Sequence, residues 1–165
     1  MKKLTFVALM ALLLLPVSAM ALDIEQGKIE VTGSSTLDFN WTSAEGNHTD
    51  AYTLDLEAQY YVIKNLAVGA LLSWSDIDND TMWLLGPQVT YNISYDDKIS
   101  FFVNGAVGLV DTDYDDGFFF RVGGGVKYFL TRSVALVGQL RYHRFEMDKV
   151  DSDNLNLNFG ISVIF

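Results

Sequence analysis

Carboxylates are the residues of this chain best placed to do chemistry. Asp76, Asp78 and Asp80 stand at alternate positions; Asp111, Asp113, Asp115 and Asp116 crowd a second segment, and Glu146, Asp148, Asp151 and Asp153 a third. Calcium gathers hard oxygens, about six to eight of them, and alternate carboxylates can supply some. The helix-flanked calcium loop does not fit, because Thr81 follows Asp80 where that loop needs glycine and no glutamate closes it. Asp76, Asp78, Asp80, Asp111, Asp113 and Asp115 stand as candidate cation ligands, beside the plainer reading of a solvated acidic rim that attracts divalent ions loosely. A second set of charges, Glu30, Asp38, Asp55, Glu57, Arg121, Lys127 and Arg141, is dispersed singly among apolar residues. The two histidines are His48 and His143, and either Ser43 or Ser75 is the serine that His143 could activate. No nucleophile elbow, phosphate-cradling glycine loop or cysteine cluster accompanies them, so neither catalysis nor a cofactor is expected.

The elements that carry these residues are strands. From Leu155 to Phe165 every odd position is apolar, namely Leu155, Leu157, Phe159, Ile161, Val163 and Phe165, while Asn156, Asn158, Gly160 and Ser162 alternate with them. Successive side chains of a strand point to opposite faces, so one face here is wholly apolar. The same alternation recurs eight times. Residues 28–41 set Ile29, Val31, Leu37, Phe39 and Trp41 against Lys28, Glu30, Thr32, Thr36, Asp38 and Asn40; residues 51–62 set Tyr52, Leu54, Leu56, Ala58 and Tyr60 against Thr53, Asp55, Glu57, Gln59 and Tyr61. Residues 66–75, 82–92, 99–109, 118–129 and 134–145 follow suit, with Arg121, Lys127, Arg141 and His143 on the polar side. Pro87 interrupts the fourth segment, where a bulge or a broken ladder is expected.

Lys2 and Lys3, the apolar run from Leu4 to Leu15, and Ala19-Met20-Ala21 have the form of a secretory signal peptide cleaved after Ala21. The predicted organisation is a signal peptide over 1–21 and one barrel domain over 22–165. The chain carries 21 acidic against 11 basic residues, a net charge of −10, and the signal lysines are among the basic ones. Nucleic acid is thereby excluded as a partner, since binding it takes clustered cations. No cysteine is present, so neither a disulfide framework nor a lipoprotein anchor is available.

Half of the residues are hydrophobic, yet after the signal no run is long enough for a membrane-spanning helix. Strands of about ten residues, tilted, cross the hydrocarbon layer, and an open edge there would leave backbone amides without partners. The predicted fold is therefore all-β, an eight-stranded antiparallel up-and-down transmembrane β-barrel. Short connections at 63–65, 93–98 and 130–133 alternate with longer polar ones at 42–50, 75–81, 110–117 and 145–154, as periplasmic turns and external loops do. Trp41, Tyr52, Trp74, Trp83, Phe118 and Tyr142 fall at one interface, and Tyr60, Tyr91, Tyr128 and Phe165 at the other. The polar face then lines a narrow lumen, where Glu30, Asp38, Asp55, Glu57, Arg121, Lys127 and Arg141 must pair. A salt-bridge network that fills the lumen is the preferred reading; a narrow water-filled path whose selectivity those charges set is the other.

Two stretches also carry a family likeness. Asn158, Gly160, Val163 and Phe165 resemble the terminal assembly signal of bacterial outer-membrane barrels. The run Arg121 to Leu136, with Phe102 to Gly108 and Gly86 to Tyr91, is similar to the small outer-membrane β-barrel proteins of the OmpA, OmpX and OmpW kind. The resemblance implies the outer membrane of a Gram-negative envelope, lipid and lipopolysaccharide as surroundings, and the barrel-assembly machinery as the reader of the last strand. It implies no single activity. A His-x-Ser pairing resembling that of outer-membrane lipid deacylases is absent. The expected role is non-enzymatic, in envelope structure or surface interaction through acidic loops. A narrow pore is the first alternative and a soluble, lipocalin-like ligand binder the second; the latter requires the apolar faces to point inward.

Overall fold

The computed structural model describes residues 24–37, 51–77, 80–113, 116–147 and 151–165. The expected signal peptide, Asp38, His48 and Ser43, and the loop residues Asp78, Asp115 and Asp148 lie outside them. Eight strands follow one another: β1 (Ile29–Leu37), β2 (Ala51–Ile63), β3 (Leu66–Ile77), β4 (Asp80–Ser94), β5 (Ile99–Thr112), β6 (Asp116–Phe129), β7 (Val134–Met147) and β8 (Asp151–Ile164). Each pairs antiparallel with its neighbour, and β1 returns to β8 from Glu30↔Ile164 to Leu37↔Leu157, closing the barrel.

Closure leaves the alternation of each strand nothing to do but divide inside from outside. Leu54, Leu72 and Ile161 point outward, 59%, 38% and 53% exposed, while Asp55, Glu57 and Arg121 on the opposite parity are buried. An apolar exterior around a charged interior is stable only where the surroundings are hydrocarbon. The soluble lipocalin-like alternative is thereby overturned, because it needs the reverse orientation. Trp83, Phe118, Tyr60, Tyr91, Tyr128 and Phe165 stand outward near the strand ends as the girdle reading expects, and Phe120 and Phe159 fill the apolar belt between.

One expectation needs amending. The connections at 75–81, 110–117 and 145–154 are shorter than read, because strand continues through most of them. Asp76 is paired with Thr81 and Asp111 with Asp116: the alternate aspartates prolong the strand period beyond the girdle, where the outward face meets water and turns polar. At Pro87 the second of the two expected outcomes is found, a broken ladder without a bulge. The β3–β4 register passes through Ala70↔Pro87 unshifted, but the β4–β5 ladder skips from Leu85↔Leu109 to Gln88↔Ala106. Proline lacks the N–H that this ladder position would donate.

Glycine is required where backbones crowd. A Cβ on Gly125 would lie 2.2 Å from the Gly138 oxygen, and one on Gly160 2.4 Å from the Gly33 oxygen. Gly123 likewise leaves room for Asn104 and for the Arg141 side chain, which enters the lumen beside it.

Leu72, in the middle of β3 and facing out, gives the simplest check of the orientation. Leu72→Arg is expected to lower the unfolding free energy by about 2–4 kcal/mol, the cost of a cation on the lipid face near the bilayer midplane. Urea titration of the barrel refolded into lipid vesicles measures it, and an unchanged midpoint would place Leu72 away from the hydrocarbon.

Candidate functional site

The lumen gathers the charges that the strand parity sends inward. Near the end where β1 begins and β8 finishes, Glu30 receives Lys127 Nζ, 2.6 Å from its Oε1, together with the hydroxyls of Tyr61 and Ser162. Asn92 donates in turn to the Tyr61 hydroxyl at 3.0 Å, and Lys127 lies 5.2 Å above the Phe102 ring. This layer combines β1, β2, β4, β5, β6 and β8, so one carboxylate ties strands from around the whole wall.

Higher in the barrel, Glu57 Oε1 accepts from Arg121 Nη2 at 3.0 Å and from Arg141 Nη2 at 2.6 Å, and Gln88 Nε2 donates to its other oxygen at 2.7 Å. Arg141 also pairs with Asp55 and reaches Ser34, and Arg121 donates to Gln88. Asn158 joins Thr36 at 2.6 Å to Asp55 at 3.2 Å. Among the described residues the lumen thus holds Glu30, Asp55 and Glu57 against Arg121, Lys127 and Arg141, a balanced set. Balance matters here because an ion left unpaired in so dry a space costs several kcal/mol.

Apolar plugs close both ends. Ile24, Tyr61, Ala67, Phe129, Ala135 and Ile164 cluster at the end where β1 begins and β8 finishes. Ile24 is held there by reciprocal hydrogen bonds to Asn65, whose positive φ of 64° makes the tight β2–β3 turn. At the other end Leu71, Leu84, Ala106, Val110, Phe119 and Phe145 pack together under Met82 and Met147. Between the two ionic layers is a cavity of about 10 Å³, bordered by Glu30, Glu57, Gln59, Asn104 and Lys127. That is room for roughly one water molecule.

Of the charges expected inside, six meet in the two layers, while Asp38 lies outside the described residues. Gln88, Tyr61, Asn92 and Ser162 were not singled out as members, although each stands on the polar parity of its own strand. The plugging rings Phe119 and Phe145 share it too, two positions from Arg121 and His143, and that was the available signal. His143 is buried beside Phe145, and its Nε2 has no hydrogen-bond partner among the described residues. Ser75 is bonded to Thr53 at 2.9 Å.

Among the described residues no three carboxylates or histidines come together, and of the candidate cation ligands Asp78 and Asp115 lie outside those residues. Asp111 and Asp113 are exposed, and Asp113 accepts the Thr81 amide at 3.1 Å, tying two neighbouring hairpin tips. The side chain of Asp80 is not among those described. At the C-terminal strand Asn158 points into the lumen and Gly160 lies against Gly33. Val163 pairs with Val31 and Val134, and Phe165 is 67% exposed at the inner girdle.

The comparisons with known proteins agree with this geometry. The family model of the outer membrane protein beta-barrel domain matches residues 7–165, and the chain belongs to that family. Its fold is that of solved small barrels. Neisserial surface protein A is 14% identical, with 84% of this chain and 95% of that one covered at a TM-score of 0.63. The N-terminal barrel domain of Pseudomonas aeruginosa OprF is 13% identical, covering 86% and 100% at 0.62. OprG of the same organism is 11% identical, covering 88% and 99% at 0.57. No curated protein matches the chain by sequence.

Glu57 is the carboxylate shared by two arginines, so its loss strands the most charge. Glu57→Ala is expected to cost about 3–5 kcal/mol of unfolding free energy in micelles, the range for breaking a buried pair, and Glu57→Ala with Arg121→Met is expected to recover part of it. Equal stability of Glu57→Ala and the parent in urea would show that the network carries no net stabilisation.

Proposed function

We propose that this outer-membrane barrel works as a closed, non-enzymatic wall element whose contribution is made at its surfaces, in envelope structure and in contacts of its acidic external rim. The observation that carries this reading is the filled lumen. Two ionic layers and an apolar plug at each end leave a cavity of about one water's size between the layers. Ion passage through such a column would require breaking charge-assisted hydrogen bonds in a low-dielectric space, and those are the strong ones.

The external rim supplies the complementary half of the proposal. Asp111, Asp113, Asp116, Glu146 and Asp153 are exposed along the far ends of β5 to β8. A rim of one sign repels polyanions and gathers counterions, including divalent ions shared with the phosphates of neighbouring lipopolysaccharide. Export under the 1–21 signal peptide and reading of Asn158, Gly160, Val163 and Phe165 by the barrel-assembly machinery are the matching proposals for how the chain reaches its place. His143, enclosed and lacking a bond to Ser75, supports a structural rather than a catalytic part.

Planar-bilayer recording tests the central point. The refolded barrel is expected to give no reproducible conductance steps in symmetric salt at moderate voltage. Discrete, repeatable steps from protein that is shown folded by its heat-modifiable electrophoretic mobility would favour the pore instead.

A further inference from the structure

We propose that the lumen binds one structural water between its two ionic layers, held by Gln59, Asn104 and Lys127. The inference rests on the sealed lumen and adds to it a ligand, its partners and a task. Space, unmet acceptors and a spare donor coincide there. The cavity of about 10 Å³ is bordered by Glu30 and Lys127 of one layer, by Glu57 of the other, and by Gln59, Asn104 and Gln139. A volume near that of one probe sphere admits a water if two to four polar partners surround it.

The acceptors are amide oxygens. Gln59 Oε1 and Asn104 Oδ1 have no hydrogen-bond partner among the described residues, yet the two residues are only 4% and 7% exposed. An amide oxygen so enclosed without a donor costs free energy on the scale of a lost hydrogen bond. The Asn104 nitrogen donates to Gln139 Oε1 at 3.2 Å, which fixes the end of that amide left over. Gly123, where a Cβ would come within 2.7 Å of Asn104 Oδ1, supplies no side chain to cover it.

The donor is the lysine. Lys127 Nζ directs two N–H groups at the same carboxylate, 2.6 Å from Glu30 Oε1 and 2.8 Å from Oε2. An ammonium carries three, so one remains. A water that donates to Gln59 and Asn104 and accepts from Lys127 satisfies all three groups, and three bonds are the usual number for a buried water.

Charge selects against ions. A cation here would share the space with the Lys127 ammonium, and an anion with the carboxylates of Glu30 and Glu57. Lumen charges are already balanced, so a neutral dipole is the occupant that disturbs neither layer. Its task follows from the strands it joins. Gln59 is on β2, Asn104 on β5 and Lys127 on β6, and Asn104 carries the chain of bonds on to Gln139 of β7. The water thus extends the Glu30 layer to β7, a strand that this layer does not otherwise include among the described residues.

The test uses the full folded barrel in deuterated micelles, with water-to-protein cross-relaxation read by NMR at the side-chain amides. Cross-peaks to Gln59 and Asn104 are expected, with the sign that marks a water held far longer than surface water. Val137→Ile adds one methylene to a residue that borders the cavity, and Gln59→Met removes one acceptor. Each is expected to abolish the Asn104 cross-peak while leaving the heat-modifiable mobility unchanged. The Asn104 amide shifts are expected to be the same in sodium, potassium and choline chloride. No cross-peak at either amide, one that survives both substitutions, or shifts that follow the identity of the cation would overturn the water site. Cross-peaks running from Phe129 to Phe119 would instead mark a continuous water column and overturn the sealed lumen on which the site rests.

Discussion

A sheet immersed in hydrocarbon can leave no amide unpaired, since neither lipid nor water is there to take the bond, and closure is the only arrangement that removes both edges. In this chain closure is made by β1 against β8, over Glu30↔Ile164 to Leu37↔Leu157. Eight strands enclose a space narrow enough for side chains to fill. The polar parity is then forced into that space, and the rest of the architecture answers the problem so created. Glu30 takes up Lys127 in one layer, and Glu57 with Asp55 takes up Arg121 and Arg141 in the next.

The division of labour between surfaces and lumen follows from that constraint. A core of ion pairs is weak evidence for stability by itself, because desolvation offsets most of the attraction. It is a strong constraint on which strands may face each other, since a shifted register would leave a charge without its partner. The Glu57 layer joins β2, β4, β6 and β7 across the barrel, and Asn158 ties β8 and β1 to it through Thr36 and Asp55. With the interior committed to holding the wall, contact with the surroundings falls to the exterior. The structural neighbours share the wall at 11–14% identity, so likeness among them fixes the fold and carries no role from one to another.

Much of this was legible in the residues because a period of two is unambiguous when one face is apolar. Parity alone placed Leu54 outside and Glu57 inside, and it put six of the seven expected lumen charges in the two ionic layers. What parity does not supply is height and partner. That Glu57 serves two arginines depends on strand tilt and stagger, which no single segment records. The plugs escaped notice for a related reason: Phe119 and Phe145 are apolar on the polar parity, and only stacking from several strands reveals them as one cluster. The Asp-x-Asp pattern was read as loop chemistry, whereas pairing such as Asp76↔Thr81 shows the strand period running on beyond the girdle. At Pro87 the missing donor was foreseen, but its site of action, the β5 side rather than the β3 side, depends on which way that ladder position points.

The central claim is that alternate residues of each strand meet lipid and a sealed polar interior. The chain has no cysteine, so single cysteines can be placed at Leu72 and Ser73 in the barrel embedded in vesicles. A nitroxide on Leu72→Cys should collide readily with oxygen dissolved in the bilayer and scarcely with an aqueous nickel complex, while Ser73→Cys should resist water-soluble thiol reagents until the barrel is unfolded. A nickel-accessible label at position 72 with a freely reactive thiol at position 73 would contradict it.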